Sequence, residues 1–340
     1  MPTRVLLTVD TELAYRHHEM GLSWQENFER SYEAAGVGVP YKLQQLAAHG
    51  LKACFFVDPM PALVFGIEPI RRMVAPIVEA GQEVQLHVHS FWRDLAAGRA
   101  KEDIRFELTD FERDGQDSLI ATAQALLIEA GAPPPIAFRS GSYAVNCDTL
   151  KVLKRHGLAF DSSHNGSHHP WPSALPLATD LIDPVLHDGI VEVPVTQIYE
   201  QGGGLRHLQL CALSIRELEA ALRHAARNRH TLVNLVSHSF ELATRDGLRS
   251  NEVVRRRFDR LCAFLGSQRE NMPTVAFADL SDLRLGAGAS PLPARPLLSV
   301  ERKAEQLWAN ARYERPATAL TALSGSSASG FEVLVPLAGL

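Results

Sequence analysis

Four times in the first 160 residues an amphipathic run closes on a glycine, and an apolar run of strand length follows within a few residues. The pairs are 40–49 with Gly50 and then 52–57, and 68–80 with Gly81 and then 83–88. Next come 116–130 with Gly131 and then 136–139, and 148–156 with Gly157 and then 159–162. Glycine just past a helix supplies the left-handed turn that ends it. A strand buried on both faces reads as a continuous apolar stretch, as in parallel sheets covered by helices. With an opening strand at 4–9, the alternation continues through strands 190–195, 231–237 and 274–277 and helices 214–228 and 251–268. This is the signature of repeated βα units. Seven or so repeats over about 280 residues favour a closed or nearly closed (β/α) barrel over an open sheet.

From residue 285 the character changes. The run LGAGASPLPARPL at 285–297 is rich in Gly, Ala and Pro and reads as a linker or extended segment. The chain therefore divides into a barrel over 1–284 and a C-terminal extension over 285–340, which ends in SGSSASG and the apolar FEVLVPLAGL. That extension can cover the barrel, pair with another subunit or be partly disordered.

The bulk properties exclude more than they assign. With 34 Lys+Arg against 39 Asp+Glu the net charge is −5, so no electrostatic grip on nucleic acid is expected. No apolar run reaches the ~20 residues of a transmembrane helix. The first strand begins within a few residues of Met1, which leaves no room for a signal peptide; a cytoplasmic location is the expectation. Cys54, Cys147, Cys211 and Cys262 form no CxxC pair, so neither a disulfide framework nor a cysteine zinc site is expected.

In a (β/α) barrel the chemistry gathers at the C-terminal ends of the strands. Asp10, His87, Arg139, Asp161 and His238 all fall at such ends in this reading. Two runs stand out, Thr8-Val9-Asp10-Thr11-Glu12 and Leu86-His87-Val88-His89. Alternate strand residues face one side, so Asp10 pairs with Glu12 and His87 with His89. Two imidazoles at i and i+2 can reach one zinc ion, and two carboxylates can divide the roles of base and ligand. The competing readings are a strand-end cap for Asp10, one buried and one surface histidine for His87 and His89, and a hydrogen-bonded core residue for His238. Arg139 can hold a carboxylate in a two-pronged grip, or be a helix-capping or surface arginine. The loop His164-Asn165-Gly166-Ser167-His168-His169-Pro170-Trp171 can line a substrate site with Trp171 stacked on a sugar face, or be a solvated loop.

The order of these motifs resembles the polysaccharide deacetylase (NodB-homology, carbohydrate esterase 4) family, over about residues 4–282. Its Thr-Phe-Asp-Asp motif is matched by Thr8-Val9-Asp10-Thr11-Glu12, with the second acid displaced by one. Lys52-Ala53-Cys54-Phe55-Phe56-Val57 is similar to its second strand. The His-(Ser/Thr)-x-x-His motif aligns on His87 and puts Phe91 at the second histidine, so His89 is the substitute. Arg139-Ser140-Gly141-Ser142-Tyr143 stands for Arg-Pro-Pro-Tyr-Gly, and the stretches around Asp161 and His238 stand for the last two motifs.

The resemblance implies a distorted (β/α)7 barrel of the NodB-homology type with a C-terminal extension, and a divalent metal, with zinc the expected ion. It implies Glu12, His87 and His89 as ligands and Asp10 as base, although Asp10 can also be the ligand. It further implies Arg139 as the residue orienting Asp10, and Tyr143 as the oxyanion donor through its backbone N–H. His238 would be the acid, held in its charged form by Asp161. The implied reaction removes an N-acyl group, N-acetyl above all, from a saccharide or glycan-biosynthesis intermediate. The expected partner is a small-molecule or oligosaccharide substrate, and self-association is left open. An allantoinase-like amidohydrolase acting on a cyclic amide would use the same site. A non-catalytic barrel serving as a binding module is the third reading.

Overall fold

The computed structural model describes residues 2–313; the run 324–330 and the apolar end of the chain lie outside the described residues. Its main sheet has nine strands. They are β1 (Arg4–Thr11), β2 (Cys54–Val57), β3 (Glu83–Val88), β4 (Ala137–Ser140), β5 (Phe160–Asp161), β6 (Val185–His187), β7 (Ile190–Glu192), β10 (Leu232–His238) and β11 (Thr274–Val275). The order is β10-β1-β2-β3-β4-β5-β7-β6, with β11 also paired to β1. Every pairing is parallel except that of β6 with β7. A second, two-stranded sheet joins β8 (Gln197–Tyr199) to β9 (Leu205–His207).

The sheet curls. On the open side, Leu208 O accepts from Val236 N at 2.9 Å, Leu210 N donates to Val236 O at 2.9 Å, and Thr196 N donates to Asn234 O at 3.2 Å. These bonds bring the chain that follows β7 and β9 back against β10. The result is a distorted barrel, as the repeats and the resemblance together imply.

The βα pattern has a local cause. In the helix Val39–His49, Pro40 sits in the first turn, where its missing N–H costs nothing. Gly50 ends the helix at φ 60°, and Val39, Leu43 and Leu46 face the core at helical spacing. The strand expected over 190–195 stops at Glu192, two residues before Pro194. Between β1 and Val39 the chain forms short helices, among them Trp24–Phe28, where Ser23 and Glu26 make a capping box.

Period-two alternation divides the buried residues in two. Val5, Leu7 and Val9 of β1 face outward with Phe55, Val57, Leu86 and Val88, packing under the helices. Leu6, Cys54, Phe56 and Ala137 belong to a separate apolar cluster that fills the floor inside the curl. Above that floor the inward line turns polar, with Asp10, His87, Arg139 and Asn234 all buried. Residues 285–295 run without regular structure, and the chain then forms a helix at Pro296–Tyr313. Arg302 of this helix bonds Glu200 at 2.8 Å and Glu217 at 3.3 Å. No helix among the described residues is long and apolar enough to cross a membrane.

Candidate metal and proton-transfer site

Glu12, His87 and His89 converge at the mouth of the curl, with ligand-competent atoms all within 4.8 Å of one another. β3 and β4 run side by side with His87 opposite Arg139. His87 Nδ1 lies 2.7 Å from the Arg139 carbonyl oxygen, which can only accept, so Nδ1 carries the proton. The lone pair is then on Nε2, which faces Glu12 Oε2 at 3.4 Å. This is the backbone bond that fixes the ring of a metal-binding histidine. His89 Nε2 also contacts Glu12 Oε2, and its ring stands nearly perpendicular to that of His87, at 89°. Gly141 makes this arrangement possible, because a Cβ there would overlap the His89 imidazole.

The charges are tightly balanced. Burial alone would raise the Glu12 carboxyl, but the two imidazoles outweigh it and hold it well below the usual carboxylate range. Burial disfavours the charged form of His89, yet Glu12 pulls its value up to about 9. The carboxylate thus has a strong demand for positive charge, which a divalent cation meets as well as a proton does. Two further acids ring the cluster, neither singled out from sequence. Burial raises Asp58 to about 6 and Glu107 to about 7, and each keeps one buried oxygen without a partner. For Asp58 a signal was available, since it directly follows β2 at the strand end where the other functional groups lie.

Asp10 stands apart from the imidazole pair. Its Oδ1 accepts from Arg139 Nη1 at 2.6 Å, with both side chains buried. Arg139 also donates to Thr8 Oγ1 at 2.8 Å, to Ser162 O at 3.1 Å, to Ser162 Oγ at 2.9 Å and to Asn234 Oδ1 at 3.4 Å. Each N–H of the guanidinium therefore has an acceptor, and its flat face rests on the Phe56 ring, 4.4 Å from the centroid. Such a clasp permits little movement. It leaves Asp10 Oδ2 facing His238 Nε2 at 3.9 Å, the two residues being register partners on β1 and β10.

Asp161 does not reach His238. Its register partner is Glu192 on β7, and the two carboxyls hydrogen-bond each other in a fully buried site. Two carboxylates cannot both ionise there, so burial and mutual repulsion hold Glu192 well above its usual range, and burial raises Asp161 too. Ser163 Oγ adds a 2.6 Å bond to Asp161 Oδ1. The groups beside His238 are instead Gln209 and Glu241, neither singled out from sequence. Gln209 arrives on the irregular segment after β9, which carries no periodic signal.

Ser142 and Tyr143 both have left-handed backbones, at φ 54° and 60°, a conformation costly for residues with a Cβ. Burial pushes the Tyr143 phenol up. Its ring packs on His168 at 5.4 Å and His207 at 6.0 Å, centroid to centroid. Trp171 is 67% exposed at the end of the same loop as His168.

No protein-family sequence profile matches the chain, and no curated protein matches it. Solved structures do. A protein of Mycobacterium smegmatis, named provisionally as a polysaccharide deacetylase, aligns at 17% identity over 87% of this chain and 96% of its own, with a TM-score of 0.51. A 4-alpha-glucanotransferase from Thermococcus litoralis aligns at 11% identity over 84% of this chain and 41% of its own, with a TM-score of 0.55. A family 4 carbohydrate esterase from Streptomyces lividans, in complex with acetate, aligns at 14% identity over 85% and 98%, with a TM-score of 0.43. The first two, with TM-scores above 0.5, are alike to this chain in fold, and at these identities the likeness extends no further.

Proposed function

We propose that this chain is a divergent polysaccharide-deacetylase-type hydrolase that uses a divalent metal, zinc being the expected ion, to remove an N-acyl group from a saccharide. One observation carries the reading. A carboxylate and two imidazoles of metal-ligand type meet within 4.8 Å, beside a second carboxylate that Arg139 clamps for a different task. The donor set suits zinc, and the proton on His87 Nδ1 leaves its Nε2 free to ligate. A divalent ion bound by Glu12, His87 and His89 would supply Lewis acidity toward an amide carbonyl and a water.

The remaining work falls to side chains. Asp10 takes a proton from the attacking water through Oδ2, its other oxygen being held by Arg139. The backbone N–H of Tyr143, in its strained turn, is assigned to the tetrahedral oxyanion. His238 faces Asp10 across the site, where the leaving nitrogen would stand. Trp171, with its exposed ring on the loop that carries His168, is assigned to stacking on a sugar face.

Metal analysis of the purified protein, run with acetate-release assays on nucleotide-linked, lipid-linked and oligomeric N-acetyl sugars, tests this function. Stoichiometric metal with acetate from one of the three supports it. Release of none of them, together with opening of a ureide ring, transfers the same site to a cyclic-amide hydrolase. Absence of bound metal favours a binding module.

A further inference from the structure

The polar groups around His238 lie in an order that dictates where its proton sits. Glu241 is buried, and its Oε1 accepts from Gln209 Nε2 at 2.8 Å and from Cys211 N at 3.2 Å. Its Oε2 accepts from the backbone N–H of His238 at 3.2 Å. A carboxylate only accepts, so the Gln209 amide must turn its NH2 end toward Glu241. The same NH2 lies 3.2 Å from His238 Nδ1, and Gln209 Oε1 lies 2.5 Å from His207 Nε2. The two hydrogens of that NH2 are thus divided between Glu241 and His238.

We infer that Gln209, locked by Glu241, selects the tautomer of the neutral His238 ring with its proton on Nε2, making it a hydrogen-bond donor to the reacting centre. An imidazolium would carry a second proton on Nδ1, pointing at the NH2 of Gln209. Relieving that clash by turning the amide over would put Oε1 against the Glu241 carboxylate.

The catalytic consequence rests on the deacetylase reading. Asp10 takes a proton from water as the C–O bond forms. It returns that proton to the nitrogen as the C–N bond breaks and the electron pair leaves with the amine. His238 donates a hydrogen bond throughout and keeps its own proton. Gln209 is then a positioning residue.

The tautomer can be read without any substrate. Long-range proton–nitrogen correlation spectra of the 15N-labelled full chain would be recorded at about pH 9, where an ordinary imidazole is neutral. His238→Gln assigns the ring by loss of its signals. The expected wild-type pattern has Nδ1 bare and Nε2 protonated. Gln209→Glu replaces the donor with a carboxylate and should shift His238 toward the Nδ1-protonated form. A wild-type ring protonated on Nδ1, or a pattern unchanged in Gln209→Glu, overturns the inference. If Gln209→Glu fails to fold, the wild-type pattern alone decides. Failure of every acetate assay would overturn the proposed reaction and leave this result standing.

Discussion

Arg139 and Asp10 form a buried ion pair of 2.6 Å that joins β4 to β1 across the interior of the curl. The pair links residues 129 positions apart in sequence, and it separates the two carboxylates of the Asp10-Thr11-Glu12 run. The clamped one faces His238, while the other meets the imidazoles.

Removing the guanidinium should be costly. Arg139→Met leaves Asp10 as an uncompensated buried charge, and breaking one side of such a pair typically destabilises by about 3–5 kcal/mol. Urea unfolding of the variant should show a correspondingly lower midpoint. The double variant Asp10→Asn/Arg139→Met should recover part of the loss, and no recovery would mean that Asp10 is not what Arg139 compensates.

The two acids should separate by function. Glu12→Gln, His87→Ala and His89→Ala should each lose bound metal and activity together, as measured by metal analysis after dialysis. Asp10→Asn should keep its metal and lose turnover, since its carboxylate touches no imidazole of the cluster. Full metal content in His89→Ala would refute the substitution of His89 for the histidine absent at Phe91.

Gly141→Ala tests packing at the same cluster. The added methyl overlaps the His89 ring and must push it off its present line. Disturbing the support of a ligand commonly weakens metal binding by about 10–100-fold. Competition with a chromophoric chelator would measure the change, and an affinity equal to wild type would show that His89 does not depend on this contact.

The buried Asp161–Glu192 pair should give stability a pH dependence of definite sign. Both carboxyls are raised above their ordinary values of 3.8 and 4.5, so the folded chain holds protons that the unfolded chain has released. Their contribution is therefore fully present below the ordinary carboxylate range and is lost as pH rises through the raised folded values. Glu192→Gln keeps the hydrogen bonding of a neutral group and removes the titration of that carboxyl and its repulsion of Asp161. The variant should gain on wild type as pH rises above the ordinary carboxylate range, read as the difference in urea midpoint at each pH. A difference independent of pH would rule out a proton shared within the pair.

Much of this molecule was readable along the chain. Helices that stop at Gly50, Gly81, Gly131 and Gly157 before apolar strands announce βα repeats, because glycine turns and two-sided burial are local events. Period-two alternation likewise placed Asp10 with Glu12, and His87 with His89, on one face each. Which groups then meet depends on the register between strands far apart in sequence, and local spacing does not carry that information. The β3–β4 register puts the Arg139 carbonyl on His87, and the β5–β7 register gives Asp161 to Glu192 instead of His238. Gln209 comes from an irregular segment returning beside β10, and Asp58 and Glu107 matter only because His89 lies near them. The sequence by itself determined the repeating βα elements and the inward line of polar residues. Only the tertiary structure decided the partners, because a side chain's charge and proton depend on what is buried against it.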